Sequence, residues 1–398
     1  MRRAPASNRI TGFGTSIFSE ISALANQHGA VNLGQGFPDF AAPDFVKVAA
    51  ERHLREDRNQ YAPSPGVGRL RGALVDDWHR RHPDGPSFDR DFEVTVGCGA
   101  TELLHDALLA VVNPGDEVIV FEPAYDAYVP DILMAGGTPR FVRLTSPHFA
   151  FDPEELATAF GPRTRALILN SPHNPTGKAF RLEELQLIAR LCEQHDVVVI
   201  SDEVYSEIHF MPEAPIPIAT LPGMRDRTIT IESMGKTFSV TGWKVGWAFA
   251  SPPLTAALRA VHQFVTFTNS APFQEALADV LPQAASDGFF PDLRATYRVR
   301  RDRLAQVLVG VGLQPLPVDG AYFLLVDVAD TPLGADGDVA FCRRLVTEIG
   351  VAAIPTSVFY REPATAPPLA RFCFAKRDAT LDAAAERLAG LAPARRVG

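Results

Sequence analysis

Ser233-Met234-Gly235-Lys236-Thr237-Phe238-Ser239-Val240-Thr241-Gly242-Trp243-Lys244-Val245-Gly246 places small residues, hydroxyls and two lysines just beyond an apolar run, Thr228 to Ile231. A lone lysine is usually a solvated surface residue. A lysine that forms an imine with a carbonyl compound needs a neutral amine, and restricted water with a second cation nearby lowers its pKa enough to supply one. Lys244 is that second cation in this reading, and it is also placed to neutralise a phosphate. Lys236 is therefore the candidate nucleophile.

Outward from this stretch the middle of the chain repeats one pattern: a short apolar run, a turn with Gly, Pro, Asn or Asp, and then a longer helical stretch. That is how a mostly parallel sheet covered on both faces reads. Glu117 to Phe121 (EVIVF), Arg165 to Leu169 (RALIL), Val197 to Ile200 (VVVI) and Thr228 to Ile231 (TITI) are the expected strands. Ligands of open α/β sheets bind beyond the carboxyl ends of the strands, where polar residues cluster here. After about Pro282 the texture changes to a long charged helix, Leu293 to Val309, then an AYFLLVDV strand, a helix around Val339 to Ile349 and a VAAIP strand. This reads as a second, α+β lobe, with Gly320 to Val328 inside it rather than at its edge.

Composition narrows the function. The chain has 398 residues and a net charge of −9, which argues against nucleic acid as a partner. Cys98, Cys192, Cys342 and Cys373 show no CxxC spacing, so reduced structural thiols are expected, with neither a disulfide framework nor a metal site. The opening MRRAPASNRITG lacks the apolar run of a signal peptide, and no stretch approaches the ~20 apolar residues of a membrane span. A soluble cytoplasmic enzyme is the expectation.

The 233–246 stretch resembles the cofactor-lysine motif of class I/II aminotransferases, enzymes of pyridoxal 5′-phosphate (PLP) fold type I. The resemblance continues in the family's order through NLGQGFPDF (Asn32 to Phe40), NQY (Asn59 to Tyr61), GATE (Gly99 to Glu102), SPHNPTG (Ser171 to Gly177), SDEVY (Ser201 to Tyr205) and RFCFAK (Arg371 to Lys376). It implies an α/β fold: a large PLP-binding domain, 28–282, with a mostly parallel seven-stranded sheet, and a smaller α+β domain made of 1–27 and 283–398. The chain is most similar to the methionine and kynurenine aminotransferase group, a branch that includes cysteine-conjugate β-lyases; SPHF (Ser146 to Phe149) and VHQF (Val261 to Phe264) add to that likeness.

The resemblance also implies roles. Lys236 holds PLP as a Schiff base, and Asp202 keeps its ring nitrogen protonated, where the bland alternative is a helix cap. Asn174 and Tyr205 donate to the ring oxygen. Gly99, Ala100, Thr101, Ser233 and Lys244 form the phosphate cup, with Lys244 standing where many relatives carry arginine. Tyr125 stacks on the ring, and Tyr61 reaches the phosphate of a partner subunit, which implies a homodimer with shared sites. Arg371 clamps the substrate carboxylate together with the Gly36 backbone and Asn174. Phe18, Phe37, Tyr61 and Phe267 shape an apolar side-chain pocket suited to methionine, an aromatic amino acid or kynurenine.

The implied reaction is ping-pong transfer of an amino group to a 2-oxo acid, with the Lys236 amine carrying the proton from the substrate α-carbon. The rivals are a cysteine-S-conjugate β-lyase, an N-succinyldiaminopimelate aminotransferase, and a PLP-binding sensor module. The last is disfavoured by the negative charge and by an aminotransferase pattern that starts near the amino terminus.

Overall fold

The computed structural model describes residues 7–11 and 13–391. Its centre is an eight-stranded sheet in the order Val94–Gly97, Gly246–Phe249, Thr228–Ser233, Val198–Asp202, Thr164–Asn170, Glu117–Glu122, Thr138–Thr145 and Ala150–Phe151. Pairing is parallel from Thr228–Ser233 across to Thr138–Thr145, while Gly246–Phe249 runs antiparallel to both its neighbours. The count corrects the expected seven strands by one. The extra strand is the two-residue Ala150–Phe151, a hairpin return on Thr138–Thr145 too short to leave a periodic signal.

The four apolar runs lie where expected, and each strand is buried along its whole length or nearly so. Alternate residues face opposite ways along a strand. Ile119, Phe121, Leu167, Leu169 and Val199 meet Leu156, Leu185 and Ile188 on one face. Val118, Val120, Ala166, Ile168, Val198 and Ile200 meet Leu103, Leu104, Ala107 and Leu108 of the helix Gly99–Val111 on the other. Uninterrupted apolar runs are the sequence form of a sheet covered on both sides. All four strands therefore present only their ends to solvent or ligand.

A second core gathers Ile21 and Ala25 of the helix Ile17–Gln27 with Tyr297, Leu304, Phe341, Phe372 and Leu388 from the carboxyl-terminal third. Its sheet has Leu369–Cys373 in the middle, antiparallel to both Phe323–Asp327 and Ile354–Pro355. The stretch from Gly320 to Val328 is thus an edge strand by pairing, against expectation. Its apolar character survives because the edge is covered: Leu316 N–H donates to Leu325 O, Pro315 bridges Val326, and Phe323 to Val326 are buried. Pro282 lies within the helix Ala271–Ser286, and the chain turns at Gly288, where φ is 75°, before the long helix Phe289–Gly310.

One charged anchor ties a covering helix to the sheet. Arg81, at the end of the helix Gly68–Arg81, donates through Nη1 and Nη2 to the two carboxylate oxygens of Glu232, at 2.8 Å each. Trp247 Nε1 adds a third donor at 2.9 Å. Removing one partner of a buried pair strands the other charge. Arg81 keeps Asp77, to which Nε donates at 2.9 Å, so Glu232→Ala leaves its other donors and Trp247 Nε1 without an acceptor and is expected to lower unfolding stability by about 1–3 kcal/mol in urea titrations; a loss of under about 0.5 kcal/mol would show that the pair is not an anchor.

Candidate active site

At the carboxyl ends of the central strands lies a cavity of about 300 Å³. Its walls include Phe18, Gly36, Phe37, Gly99, Ala100, Thr101, Tyr125, Asn174, Asp202, Tyr205, Ser233, Lys236, Lys244 and Arg371. Tyr61 and Phe267 are the two residues named from the sequence that do not reach it. They stack edge to face at 5.6 Å on the surface, 85% and 46% exposed.

Lys236 is placed by the short helix Met234–Thr237, which follows at once on the strand ending at Ser233. Its Nζ donates to Gly36 O at 3.4 Å and lies 5.7 and 5.8 Å from the ring centres of Tyr205 and Tyr322. Enclosure by protein disfavours the ammonium and lowers its pKa to about 8; Cys373 and Asp202 oppose this, and Arg371 and Lys244 reinforce it. Burial is thus the main cause. Lys244, named for this effect from the sequence, is a minor one.

Asp202 is the last residue of its strand and 4% exposed. Its carboxylate accepts from Tyr128 Oη at 2.7 Å and from Val204 N at 3.3 Å. Burial raises its pKa, against the pull of these two donors and of Lys236. Among the described residues no cation pairs with it directly, so the site holds an acceptor waiting for positive charge. From Asp202 a continuous polar chain crosses the cavity floor. Asn170 Nδ2 donates to Asp202 O at 2.8 Å and Asn170 Oδ1 accepts from Asn174 N at 2.7 Å. Asn174 Oδ1 in turn accepts from Arg371 Nη1 at 2.8 Å, which leaves the amide nitrogen of Asn174 as the donor available to a ligand.

Arg371 is 1% exposed and lies between the rings of Phe18 and Phe323, whose centres are 5.0 and 4.0 Å from Cζ. Nη2 donates to Gly34 O at 3.0 Å, while Nε has no partner. Burial lowers its pKa. A rigid, buried guanidinium with an unused N–H suits a carboxylate. Gly36 must stay small, because a Cβ there would meet Phe323 Cζ at 3.2 Å and Arg371 Nη2 at 3.7 Å. Tyr322 Oη and Lys376 Nζ pin the same loop by bonding to Gly36 O at 2.7 Å and Phe37 O at 2.9 Å.

The opposite end of the cavity is a cup. The helix Gly99–Val111 begins at Gly99 itself, earlier than the apolar run at Leu103 suggests, so Gly99, Ala100 and Thr101 are its first turn. Unpaired N–H groups there attract an anion. Lys244, with φ 54°, brings its ammonium to 3.2 Å from the Cβ that Gly99 lacks. Gly246 lets the neighbouring strand approach, since a Cβ there would lie 2.7 Å from Gly99 C. Tyr125 stands between the cup and Asp202, its hydroxyl pushed up to about 12, chiefly by burial.

Tyr128, Asn170, Tyr322 and Phe323 are the functional neighbours that motif reading missed. For Tyr128 a signal existed: it follows Tyr125 by three residues, at the start of the helix Tyr128–Met134. The others touch the site through partners distant in the sequence.

A family model described as aminotransferase class I and II matches residues 28–388. The chain belongs to that family. Methionine aminotransferase of Escherichia coli is 43% identical over 96% of this chain and 97% of its own, and a solved structure from that organism, reported with a methionine aminotransferase function, superposes with TM-score 0.92 over 97% and 99% of the two chains. N-succinyldiaminopimelate aminotransferase from Mycobacterium tuberculosis superposes equally, with TM-score 0.92, 43% identity and 97% and 100% coverage. Kynurenine–oxoglutarate transaminase of Dictyostelium discoideum is 41% identical over 96% of this chain and 95% of its own. This aminotransferase therefore has the fold type I architecture of an enzyme class that uses PLP.

The cavity fits that cofactor on its own evidence. Asp202 lacks a cation, the first turn of Gly99–Val111 and Lys244 form an anion cradle, and Lys236 offers an amine. Because the Lys236 pKa is lowered from 10.5, the unfolded chain binds the extra proton between about 8 and 10.5, and the cofactor-free aminotransferase gains stability as pH rises through that window. The neutral amine also becomes the main form above about 8. The rate at which cofactor-free protein takes up PLP, followed by absorbance, is expected to rise through that value; a rise only at the ordinary lysine value of 10.5 would contradict the burial effect.

Proposed function

We propose that this aminotransferase carries PLP on Lys236 and moves the amino group of methionine, or of an aromatic amino acid including kynurenine, to a 2-oxo acid. The observation that carries the reading is the convergence on one cavity of Lys236, the unpaired Asp202 and the buried Arg371. Asp202 holds the ring nitrogen in its charged form, Asn174 and Tyr205 donate to the ring oxygen, and Tyr125 packs on the ring face. Ala100, Thr101, Ser233 and Lys244 hold the phosphate, and Gly99 lets the backbone approach it. When bound, the group supplies an electron sink for the pair left on the substrate α-carbon.

Arg371 orients the substrate by its α-carboxylate, supported by the Gly36 backbone and Asn174. With the cofactor bound, the Lys236 amine would serve as the base that takes the proton from the substrate α-carbon and as the acid that returns it. The amino acid leaves as its 2-oxo acid, and a second 2-oxo acid receives the amino group in the reverse half-reaction.

Among the described residues that line the cavity, Arg371 is the one guanidinium, and Phe18, Phe37 and Phe323 supply apolar wall. An apolar donor suits such walls, and a distal carboxylate does not. The Escherichia coli and Dictyostelium relatives support methionine and kynurenine as the first donors to test. Tyr61 and Phe267 complete the site of a second subunit in a homodimer, which accounts for an aromatic pair left on the surface. The large domain is taken as 28–282 and the small domain as 1–27 with 283–398, a division supported by the shared core of the helix Ile17–Gln27 and the carboxyl-terminal third. No described helix is long and apolar enough to cross a membrane, and we place the enzyme in the cytoplasm.

A panel of amino donors against several 2-oxo acids tests the reading. Methionine, phenylalanine, tyrosine and kynurenine are expected to exceed aspartate by at least about tenfold in kcat/KM, a difference of the size that pocket chemistry supplies. Preference for aspartate or N-succinyldiaminopimelate, or release of pyruvate and ammonia from cysteine conjugates as the main activity, would overturn it. Lys236→Ala is expected to abolish turnover, and Arg371→Ala to raise KM for every donor alike.

A further inference from the structure

The first turn of Gly99–Val111 contains an apparent contradiction. Its open N–H groups and positive pole are the seat proposed for a phosphate, yet Glu102 stands in that same turn and competes with an anion for it. The neighbourhood resolves the conflict. Glu102 Oε1 lies 2.7 Å from His262 Nδ1 and accepts from Thr266 Oγ1 at 3.0 Å, while Oε2 accepts from Cys98 N at 2.7 Å. On the far side of the imidazole, Nε2 lies 3.0 Å from Ser64 O. His262 is 0% exposed, and both its ring nitrogens face oxygen acceptors. Neutral histidine has a hydrogen on one nitrogen only, so satisfying both contacts requires the imidazolium.

We propose that the buried His262 imidazolium is the counter-ion that cancels Glu102, so that a dianionic phosphate can seat at the start of the Gly99–Val111 helix. Glu102 and His262 are thus positioning residues for the cofactor's phosphate, and the inference rests on the PLP reading above. Asp106, one helical turn on, is fully buried with both oxygens unpartnered, and Oδ2 lies 3.5 Å from His262 Nδ1. Burial raises its pKa to about 7, so near neutral pH it carries only part of a charge beside the Glu102 and His262 pair. Burial alone would lower the His262 pKa, but Asp106 and Glu102 outweigh it and raise it to about 9. The remaining charge near the cup is Lys244, left to meet the phosphate; His105, on the same helix, is engaged with Asp131.

The cluster also braces the cup mechanically. Cys98 N–H is fixed by Glu102, and Asn269 Nδ2 donates to Gly97 O at 2.6 Å and Lys244 O at 3.1 Å. Ser64 and Thr266 belong to the two segments that carry Tyr61 and Phe267. The pair that shapes this chain's phosphate seat therefore anchors the surface aromatics as well.

Charge balance and simple bracing predict different results. Full-length protein and its variants are titrated with PLP and with pyridoxal, the same ring without a phosphate, and binding is read from absorbance beside thermal melting of the unloaded proteins. His262→Gln leaves Glu102 uncancelled and is expected to weaken PLP binding by at least about tenfold, while pyridoxal changes by less than about threefold. Adding Glu102→Gln in the same chain removes the stranded charge and is expected to restore PLP binding to within about threefold of the parent. Glu102→Gln alone keeps an amide oxygen as an acceptor and strands no negative charge, so it is expected to lose less PLP affinity than His262→Gln. Equal losses for the two ligands, no loss in His262→Gln, or no recovery in the double variant would overturn the proposal. If the parent protein itself binds no PLP, the functional reading fails instead.

Discussion

A carboxylate buried without a cation is costly, and Asp202 is such a group at the end of a central strand. The hydroxyl of Tyr128 and the Val204 N–H satisfy its oxygens but bring no full charge. What surrounds it is arranged around that deficit: an amine made easier to deprotonate by enclosure, a guanidinium held between two aromatic rings, and a helix start opposite a lysine. Under the proposed function, a cationic ring nitrogen on a phosphate-bearing ligand would neutralise Asp202 and fill the cup at once.

The fold contributes this arrangement by ending parallel strands together. Asn170, Asp202 and Ser233 close three adjacent strands, so their side chains converge without any one segment having to bend far. The opposite wall comes from the carboxyl-terminal sheet through Arg371 and Phe323, which lie on neighbouring antiparallel strands where Arg371 pairs with Leu325 and Phe323 with Cys373. Between them, the hydrogen-bonded path from Asp202 through Asn170 and Asn174 to Arg371 couples the ring end of the site to the carboxylate end.

Much of this was legible in the sequence because the chemistry is written in short contiguous motifs. Lys236, Asp202, Tyr205, Asn174 and Arg371 each sit in such a motif and all line the cavity. Other features are set by pairings that no local pattern encodes. Tyr128 meets a carboxylate 74 residues away, and Tyr322 meets Gly36 across 286 residues. The edge position of Phe323–Asp327 was hidden because the Leu316 segment covers it, so an edge strand reads as an interior one. The relative weight of the two causes that lower the Lys236 pKa is hidden for a related reason: proximity of Lys244 in sequence is visible, whereas enclosure by Tyr205, Tyr322 and the Gly36 loop belongs to the fold.

Covalent attachment at one amine is the central claim, and reductive trapping addresses it most directly. Protein loaded with PLP is treated with borohydride, digested, and mapped by mass spectrometry. The expected result is a single reduced cofactor adduct on the peptide that contains Lys236. An unmodified Lys236, or an adduct placed instead on Lys244 or Lys376, would contradict it.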